Sequence, residues 1–147
     1  MEKSNVFLDT SVLLTAVLSS TGGSFYILNT LGNAFTFYIN AYVFEETTRV
    51  LTVKLRARQD LANKLFLLIG LTPIRIVPDP SKEQIKTAAR IINPKDAPIL
   101  ISALQYASHF ITMDNDFLEE GVVRFAEAKG LVILKPKDFI QKFRASA

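Results

Sequence analysis

Short runs of apolar residues alternate with segments of helical periodicity along the whole chain, and this alternation limits the folds that it can adopt. The apolar runs are continuous rather than interleaved with polar residues, which is typical of strands buried on both faces. Such strands, separated by helices, predict an α/β fold with a parallel sheet covered on both sides. The sequence has no repeat, low-complexity segment or linker, so we expect one domain over residues 1–147.

Hydrophobic periodicity and turn residues set the expected bounds of the elements. The predicted strands are Asn5–Asp9, Phe35–Ile39, Ile74–Val77, Phe110–Met113 and Leu131–Leu134. The predicted helices are Ser11–Ser20, Ser24–Leu31, Tyr42–Arg58, Asp60–Ile69, Ser81–Ile92, one beginning near Asp96, Phe117–Lys129 and Lys137–Phe143. We expect Ser24 to cap its helix, Ser81 to form a capping box with Gln84, and Gly130 to end the helix before the last strand.

The composition excludes several kinds of site. The chain has no cysteine and one histidine, His109, so disulfides, thiolate metal sites, cysteine nucleophiles and multi-histidine zinc sites are excluded. A metal site must use oxygen ligands, which favours Mg²⁺ or Mn²⁺. The net charge of +3 permits nucleic-acid binding but is a weak indication of it. The 49% of hydrophobic residues leaves room for a buried partner surface.

The sequence shows neither a signal peptide nor a segment long enough to span a membrane. The segment Met1–Asn5 is polar and lacks the charged and apolar regions of a signal peptide. The longest apolar run, Leu65–Ile69, is far too short to cross a bilayer. We therefore expect a cytoplasmic protein without a membrane partner.

Five acidic residues fall at or near one edge of the predicted sheet. Asp9 ends the first strand, Asp114 and Asp116 follow the fourth, Asp96 opens the helix before it, and Glu46 lies early in the helix after the second strand. In open parallel α/β sheets, ligands bind outside the carboxyl ends of the strands. Carboxylates gathered there repel one another and cannot all stay ionised without a cation. The set therefore predicts a divalent-metal site.

Each aspartate also has a purely structural interpretation. Asp9 and Asp96 are placed where either could cap the helix that follows. Asp116 and Glu119 have the spacing of a capping box, and Asp114 could be an ordinary turn residue. These alternatives stay open for each residue taken alone, and the combination favours the metal site.

Glu46 is the acid that a structural role explains least well. It shares a helical face with Val43 and Val50, whereas its neighbour Glu45 shares a face with Arg49, four residues on. A carboxylate on an apolar face is costly unless something compensates it, and a bound cation would do so. We therefore predict that Glu46 faces the metal and that Glu45 forms an exposed ion pair with Arg49.

The same residues resemble the motifs of the PIN-domain nucleases. The matching segments are Asp9–Leu14, Glu46–Leu51, Asp96–Ile99 with Ala103, Thr112–Asp116 and Leu134–Phe139. The first looks like the family's opening D-T/S motif, the fourth like its T-x-D-x-D motif, and the last like the tail motif of one subgroup. No single motif is specific, but their order and spacing together are, and they run from about Asn5 to Phe143.

The resemblance implies a PIN-like three-layer α/β/α fold with a central, mostly parallel sheet of about five strands. It also implies a Mg²⁺- or Mn²⁺-dependent ribonuclease that cleaves single-stranded RNA. The implied catalytic residues and metal ligands are Asp9, Glu46, Asp96 and Asp114, with Asp116 as an auxiliary ligand and Thr10 and Thr112 as supporting hydroxyls. Many small members resemble toxins of type II toxin–antitoxin pairs, so an antitoxin protein and a second copy of the chain are the implied protein partners.

Three other protein classes compete with this interpretation. A two-component receiver domain also has acids at strand ends, and Lys135-Pro136 resembles its Lys-Pro motif, but it needs paired acids where Asp9 is followed by Thr10 and Ser11. A haloacid-dehalogenase phosphatase needs a second aspartate at the position of Ser11. A non-catalytic PIN-type RNA-binding or scaffold protein is the third alternative, which activity measurements with and without Mn²⁺ would separate from an enzyme.

Overall fold

A computed structural model describes residues 3–54 and 59–144. Within them, five strands form one sheet in the order β3-β2-β1-β4-β5, and every neighbouring pair is parallel. The strands are β1 (Ser4–Leu8), β2 (Phe35–Asn40), β3 (Arg75–Val77), β4 (His109–Ile111) and β5 (Val132–Leu134). The predicted α/β class and five-stranded parallel sheet are confirmed, with strand bounds shifted by one or two residues at most ends.

Helices cover both faces of this sheet. They are α1 (Thr10–Leu18), α2 (Gly23–Thr30), α3 (Ala41–Arg49), α4 (Gln59–Leu71), α5 (Lys82–Ala88), α6 (Ala97–Tyr106), α7 (Asn115–Leu118), α8 (Glu120–Ala128) and α9 (Pro136–Phe143). Helix α1 packs against α2, α3 and α4, and α2 packs against α9. The chain reverses direction across the sheet after β3, so right-handed crossovers place α5 to α8 on the opposite face. The result is a three-layer α/β/α fold.

Strand register brings the carboxyl ends of β1, β2 and β4 together. Phe7 on the central strand β1 lies opposite Tyr38 on β2 and Phe110 on β4. One step beyond, the Asp9 amide donates to the Ile111 carbonyl at 3.2 Å. The segments that leave these three strands, which carry the acidic motifs, therefore start side by side. The strand order also separates the chain from receiver domains, whose sheets have the order 2-1-3-4-5.

Two of the predicted helix termini are confirmed and one is wrong. Ser81 and Gln84 form the reciprocal capping box, and Gly130 follows α8 with a φ of 87°, which favours glycine. Helix α2, however, has Gly22 as its N-cap, not Ser24. The Ser24 hydroxyl is buried and lies 2.7 Å from the Thr15 hydroxyl on α1, so a tertiary hydrogen bond takes the place of the cap.

Three predicted helices differ in extent from those observed. The helix after Ser81 ends at Ala88, not Ile92, and the segment Phe117–Lys129 is divided between α7 and α8 by the extended Glu119. Helix α3 ends at Arg49 and continues as a π-helical turn over Val50–Lys54. The remainder of the predicted helix Tyr42–Arg58, residues 55–58, lies outside the described residues.

The main core lies between the sheet and both helical layers. Its largest fully buried side chains include Phe7, Phe110 and Phe117, whose rings make two edge-to-face contacts at 5.9 and 5.0 Å between centroids. Among the described residues, no single helix is long and apolar enough to span a membrane; α1 and α2 reach that length only together, with a 90° bend between them.

Candidate active site

Asp9 lies at the carboxyl end of the central strand and is only 4% exposed. It is the N-cap of α1, and its Oδ1 accepts a hydrogen bond of 2.7 Å from the Thr10 amide. Its Oδ2 accepts hydrogen bonds from the Thr112 hydroxyl at 2.6 Å and the Ser11 hydroxyl at 3.2 Å. Asp9 therefore caps a helix, as one interpretation proposed, and also presents a carboxylate at the junction of β1 and β4.

The loop after β4 is tied to Asp9 through hydroxyl groups. The buried Thr112 hydroxyl accepts from the Asp114 amide at 3.0 Å while it donates to Asp9. The Ser11 hydroxyl accepts from the Met113 amide at 3.2 Å. These hydrogen bonds fix the position of Asp114 relative to Asp9, and Thr112 connects the two acids directly.

Asp96, Asp114 and Asp116 form the tightest acidic group among the described residues. Each offers a carboxylate oxygen, and these three oxygens lie within 4.8 Å of one another. Asp96 precedes α6, but its side chain makes no capping hydrogen bond, so its carboxylate is free for another role. Carboxylates this close repel one another strongly unless one is protonated or a cation lies between them.

The predicted capping box between Asp116 and Glu119 is wrong. Asp114 is the N-cap of α7, and its Oδ1 accepts from the Asp116 amide at 2.9 Å. Asp116 thus lies inside the first turn of α7, while Glu119 precedes α8 without a side-chain cap. The extended backbone of Asp114 suits an N-cap. Because Asp114 caps the helix, the Asp116 carboxylate is not needed for capping, and it lies in the acidic group.

Glu46 joins the site from α3 through a single hydroxyl. Its Oε1 accepts a hydrogen bond of 2.5 Å from the Thr10 hydroxyl, and the Thr10 amide binds Asp9. Glu45, by contrast, is exposed. Glu45 and Arg49 are both described and form no ion pair with each other, so that part of the prediction is wrong. The two side chains are exposed, where such a pair has little energetic value.

Two residues that the sequence analysis did not single out support the site. Asn40, completely buried, caps α3 by accepting from the Val43 amide at 2.8 Å and donates to the Pro98 carbonyl and the Ser102 hydroxyl at 3.1 and 2.9 Å. It holds the helix that carries Glu46 against the helix that follows Asp96. An asparagine at the junction of a strand and a helix was the available signal.

Tyr42 is the second of these residues. Burial raises the pKa of its hydroxyl, and the carboxylates of Glu46 and Asp96 raise it further. The phenol therefore lies in the field of the acidic site. Its position four residues before Glu46, on the same face of α3, was the signal in the sequence.

The electrostatics agree with the geometry. Burial raises the pKa of Asp9 to about 6 against the lowering effect of its hydrogen bonds, with a further increase from Asp114. Burial, followed by the charges of Asp114 and Asp116, raises the pKa of Asp96 to about 6 as well, although Lys95 opposes the shift. Near neutral pH the protein therefore bears a repulsion that a cation would relieve.

The sequence profile of the PIN domain family matches residues 6–121, which include all five acids of the site. The chain belongs to the PIN-domain family. This confirms the resemblance on which the PIN-like fold was predicted, and it separates this PIN domain from receivers and haloacid-dehalogenase phosphatases. The family implies nuclease activity in general.

Solved structures similar to this PIN domain come from distant proteins. VapBC2 from Rickettsia felis, in a crystal structure with a DNA fragment from its promoter, has a TM-score of 0.66 and 17% identity over 89% of this chain and 98% of that chain. PAE2754 from Pyrobaculum aerophilum has a TM-score of 0.65 and 17% identity over 97% and 96%. FitAB bound to an IR36 DNA fragment has a TM-score of 0.56 and 19% identity over 89% and 94%.

Identities this low establish a shared fold and no more. No curated protein sequence matches the chain. The roles of the acidic residues in this PIN domain must therefore be argued from its own geometry.

Proposed function

We propose that this PIN domain is an endoribonuclease that cleaves single-stranded RNA with the help of Mg²⁺ or Mn²⁺. The observation that carries the proposal is the convergence of Asp96, Asp114 and Asp116 within 4.8 Å beside the buried Asp9. Oxygen donors in this number suit a hard divalent cation. The chain has no cysteine and one histidine, so thiol and multi-histidine chemistry is not available to it.

The donor set fits such a cation. Burial, and after it the neighbouring carboxylates, raise the pKa values of Asp9 and Asp96 to about 6, and a bound cation would favour their ionised forms. Asp9, Glu46, Asp96 and Asp114 are the residues that would hold the metal, with Asp116 as an auxiliary ligand. When bound, such a metal lowers the pKa of a water molecule and stabilises negative charge on a phosphodiester during in-line displacement.

The remaining side chains position these ligands. The Thr112 hydroxyl holds Asp9 Oδ2, and the Thr10 hydroxyl holds Glu46 Oε1, so each carboxylate keeps one oxygen oriented by the protein. Hydrogen bonds of this kind fix the direction of a ligand and tune its basicity. Asn40 links the start of α3 to the first turn of α6, and so it helps to hold Glu46 and Asp96 in place relative to each other.

The test is cleavage of labelled single-stranded RNA by the purified protein. We expect cleavage with Mg²⁺ or Mn²⁺, none with EDTA, and none from Asp96→Asn, which retains the size of the side chain but lacks its charge. Cleavage that persists in EDTA would overturn the metal-dependent mechanism. Full activity of Asp96→Asn would remove Asp96 from the site. RNA binding without cleavage under any metal condition would identify the non-catalytic alternative.

Association with an antitoxin and with a second copy forms the second part of the proposal. The fold is shared with VapBC2 and FitAB, and exposed leucines line an apolar groove of about 320 Å³ between α1, α2 and α4. Leu67 is 61% exposed and Leu71 is 81% exposed. Side chains this apolar and this exposed are typical of a partner surface.

Static light scattering at micromolar concentration tests the dimer. We expect a homodimer, and Leu71→Glu should shift it toward monomer, whereas Lys82→Glu on the exposed start of α5 should not. A monomeric wild-type protein would count against the dimer. A short reading frame immediately upstream, whose product copurifies and blocks cleavage, would support the antitoxin.

A further inference from the structure

A groove of about 750 Å³ adjoins the acidic site and is not accounted for by the metal ligands. Met113 and Asn115, which flank Asp114, line it, and so does Arg144 at the end of α9. It runs between the start of α2 and the length of α9. The groove thus continues directly from the site at which we place phosphodiester cleavage.

The charge of this groove is opposite to that of the acidic site. Lys135, Lys137 and Arg144 line it, and all three side chains are exposed. None of them forms an ion pair with a carboxylate within residues 3–54 and 59–144. Three unpaired cations along one wall attract a polyanion, because each can neutralise one phosphate of a nucleic-acid strand.

Strand pairing places the start of α9 beside the loop that carries Asp114. The Thr112 amide donates to the Leu134 carbonyl at 3.0 Å, so the β4 loop with its acids and the β5 loop with Lys135 leave the sheet side by side. Thr112 is the residue whose hydroxyl holds Asp9. Lys135 therefore follows β5 beside the loop that carries Asp114.

The floor of the groove suits nucleotides better than it suits a small anion. Met113 and Ile140 give it apolar surface. Helices α2 and α9 both begin on this groove, and neither has a side-chain cap, so their amide ends add positive potential. A positively charged groove that follows the phosphate backbone is a common feature of single-strand binding sites.

We propose that this basic groove binds the single-stranded RNA on one side of the scissile phosphodiester, with Lys135, Lys137 and Arg144 as phosphate contacts. The proposal rests on the proposed ribonuclease function and adds the path of the substrate. These residues act by positioning the strand, and they do not take part in the chemical step.

The experiment measures RNA binding without cleavage. Fluorescence anisotropy is recorded with a fluorescein-labelled single-stranded RNA of mixed sequence, in EDTA, with every variant in the Asp96→Asn background. The test variant is Lys135→Ala/Lys137→Ala/Arg144→Ala. The control is Lys3→Ala/Lys129→Ala, which removes two cations; these lysines precede β1 and β5 and so lie at the amino-terminal edge of the sheet, away from the acids. Thermal unfolding of each variant confirms that it is folded.

We expect the test variant to bind RNA at least ~10-fold more weakly in low salt, and the slope of log Kd against log salt to fall by about 2, since each single-strand phosphate contact contributes about 0.7. The control variant should bind as the parent does. Unchanged binding by the test variant, with cleavage by the wild-type protein intact, would overturn the groove and leave the proposed ribonuclease standing. Equal losses of RNA affinity in the test and control variants would show that RNA is attracted to the positive charge of the protein in general. That result would also contradict the proposed groove.

A second measurement locates the groove relative to the cut. Substrates shortened stepwise from the 5′ side or from the 3′ side are cleaved by proteins with a normal Asp96. The basic-groove variant should have a higher KM than the wild type on the full-length substrate, with a kcat within about twofold of the wild-type value. This difference in KM should disappear in one of the two series of shortened substrates and persist in the other. If shortening on either side has the same effect, the groove does not follow one arm of the RNA.

A poly-glutamate peptide tests the alternative ligand. Binding of this peptide in place of RNA would assign the groove to an acidic protein and overturn the proposal.

Discussion

The Thr112 hydroxyl donates to Asp9 Oδ2 at 2.6 Å and accepts from the Asp114 amide at 3.0 Å. One buried side chain thus links the acid that ends β1 to the acid that follows β4. Its hydrogen bond lowers the pKa of Asp9, against the increase caused by burial. Thr112 therefore sets both the direction and the ionisation of a proposed metal ligand.

We expect Thr112→Val to weaken Mn²⁺ binding by ~10–100-fold, the usual effect of removing a group that orients a ligand. The loss of a buried hydrogen-bond partner should also lower the free energy of unfolding by about 1–3 kcal/mol. Thr112→Ser retains the hydroxyl and should restore metal affinity. Calorimetric titration with Mn²⁺ measures the first effect and urea denaturation the second. Wild-type metal affinity in Thr112→Val would show that the hydroxyl has no part in the site.

Without metal, the pH dependence of stability should reveal the cost of ionising Asp96, which is buried beside other carboxylates. The pKa of Asp96 is about 6 in the folded protein and ordinarily 3.8. A carboxyl group whose folded pKa is raised contributes stability below the unfolded pKa and loses it as the pH rises through the folded pKa. In EDTA, the wild-type protein should therefore lose stability relative to Asp96→Asn between about pH 4 and 7, with no further difference above.

Melting temperatures of the wild-type protein and Asp96→Asn between about pH 4 and 8 test the sign of this stability difference. We expect Asp96→Asn to melt a few degrees above wild type at about pH 8 and close to it at about pH 4. Saturating Mn²⁺ should reverse the order at the higher pH, because the cation stabilises only a protein that binds it. A wild-type protein that is more stable than Asp96→Asn at high pH in EDTA would show that the carboxylate has another compensating partner.

The order of the elements and the edge that carries the acids follow from the sequence alone. Continuous apolar strands such as Val6–Leu8 within β1 can be buried on both faces only in a covered parallel sheet, and that topology alone brings Asp9 and Asp114 to one edge. What the sequence could not supply is which of two available hydrogen bonds a polar side chain makes. Ser24 had the chemistry of a cap but bonds to Thr15 across helices, and Asp114 displaced Asp116 as a cap.

The basic groove and the role of Asn40 could not be predicted from the sequence for a related reason. Lys135 and Arg144 are nine residues apart along the chain, and only the packing of α9 against α2 places them in one groove with Met113. Asn40 bonds to residues about sixty positions further along. Contacts of this range depend on tertiary packing, which hydrophobic periodicity does not describe.

Asn40 provides a prediction about the framework of the site. Asn40→Ala removes the cap of α3, which costs about 1 kcal/mol, and leaves the Pro98 carbonyl without its donor, which costs about 1–3 kcal/mol. We expect a loss of about 2–3 kcal/mol in the free energy of unfolding by urea, together with reduced cleavage. Ser102→Ala removes a single acceptor of Asn40 and should cost about 1 kcal/mol. Equal losses in the two variants would mean that Asn40 has no capping role.

The choice between Glu45 and Glu46 is the sharpest test of the site. The two residues are adjacent on α3, but Glu46 Oε1 accepts from the Thr10 hydroxyl at 2.5 Å, whereas Glu45 is exposed. Glu46→Gln keeps an oxygen that can accept from Thr10, so the fold should survive while the negative charge is lost. Because Glu46 also raises the pKa of Asp96, its neutralisation should leave the metal-free protein at least as stable as wild type.

We therefore expect Glu46→Gln to lose RNA cleavage by more than ~100-fold, beyond the effect of groups that only orient a ligand, and to bind Mn²⁺ more weakly. Glu45→Gln has the same change of charge one residue away and should cleave within about twofold of wild type, because Glu45 is exposed and forms no ion pair with any residue that the structure describes. Single-turnover cleavage rates with saturating Mn²⁺, together with melting curves in EDTA, separate the loss of chemistry from a loss of fold. Reversed phenotypes would place the other face of α3 at the acids, and full activity in both variants would remove α3 from the site.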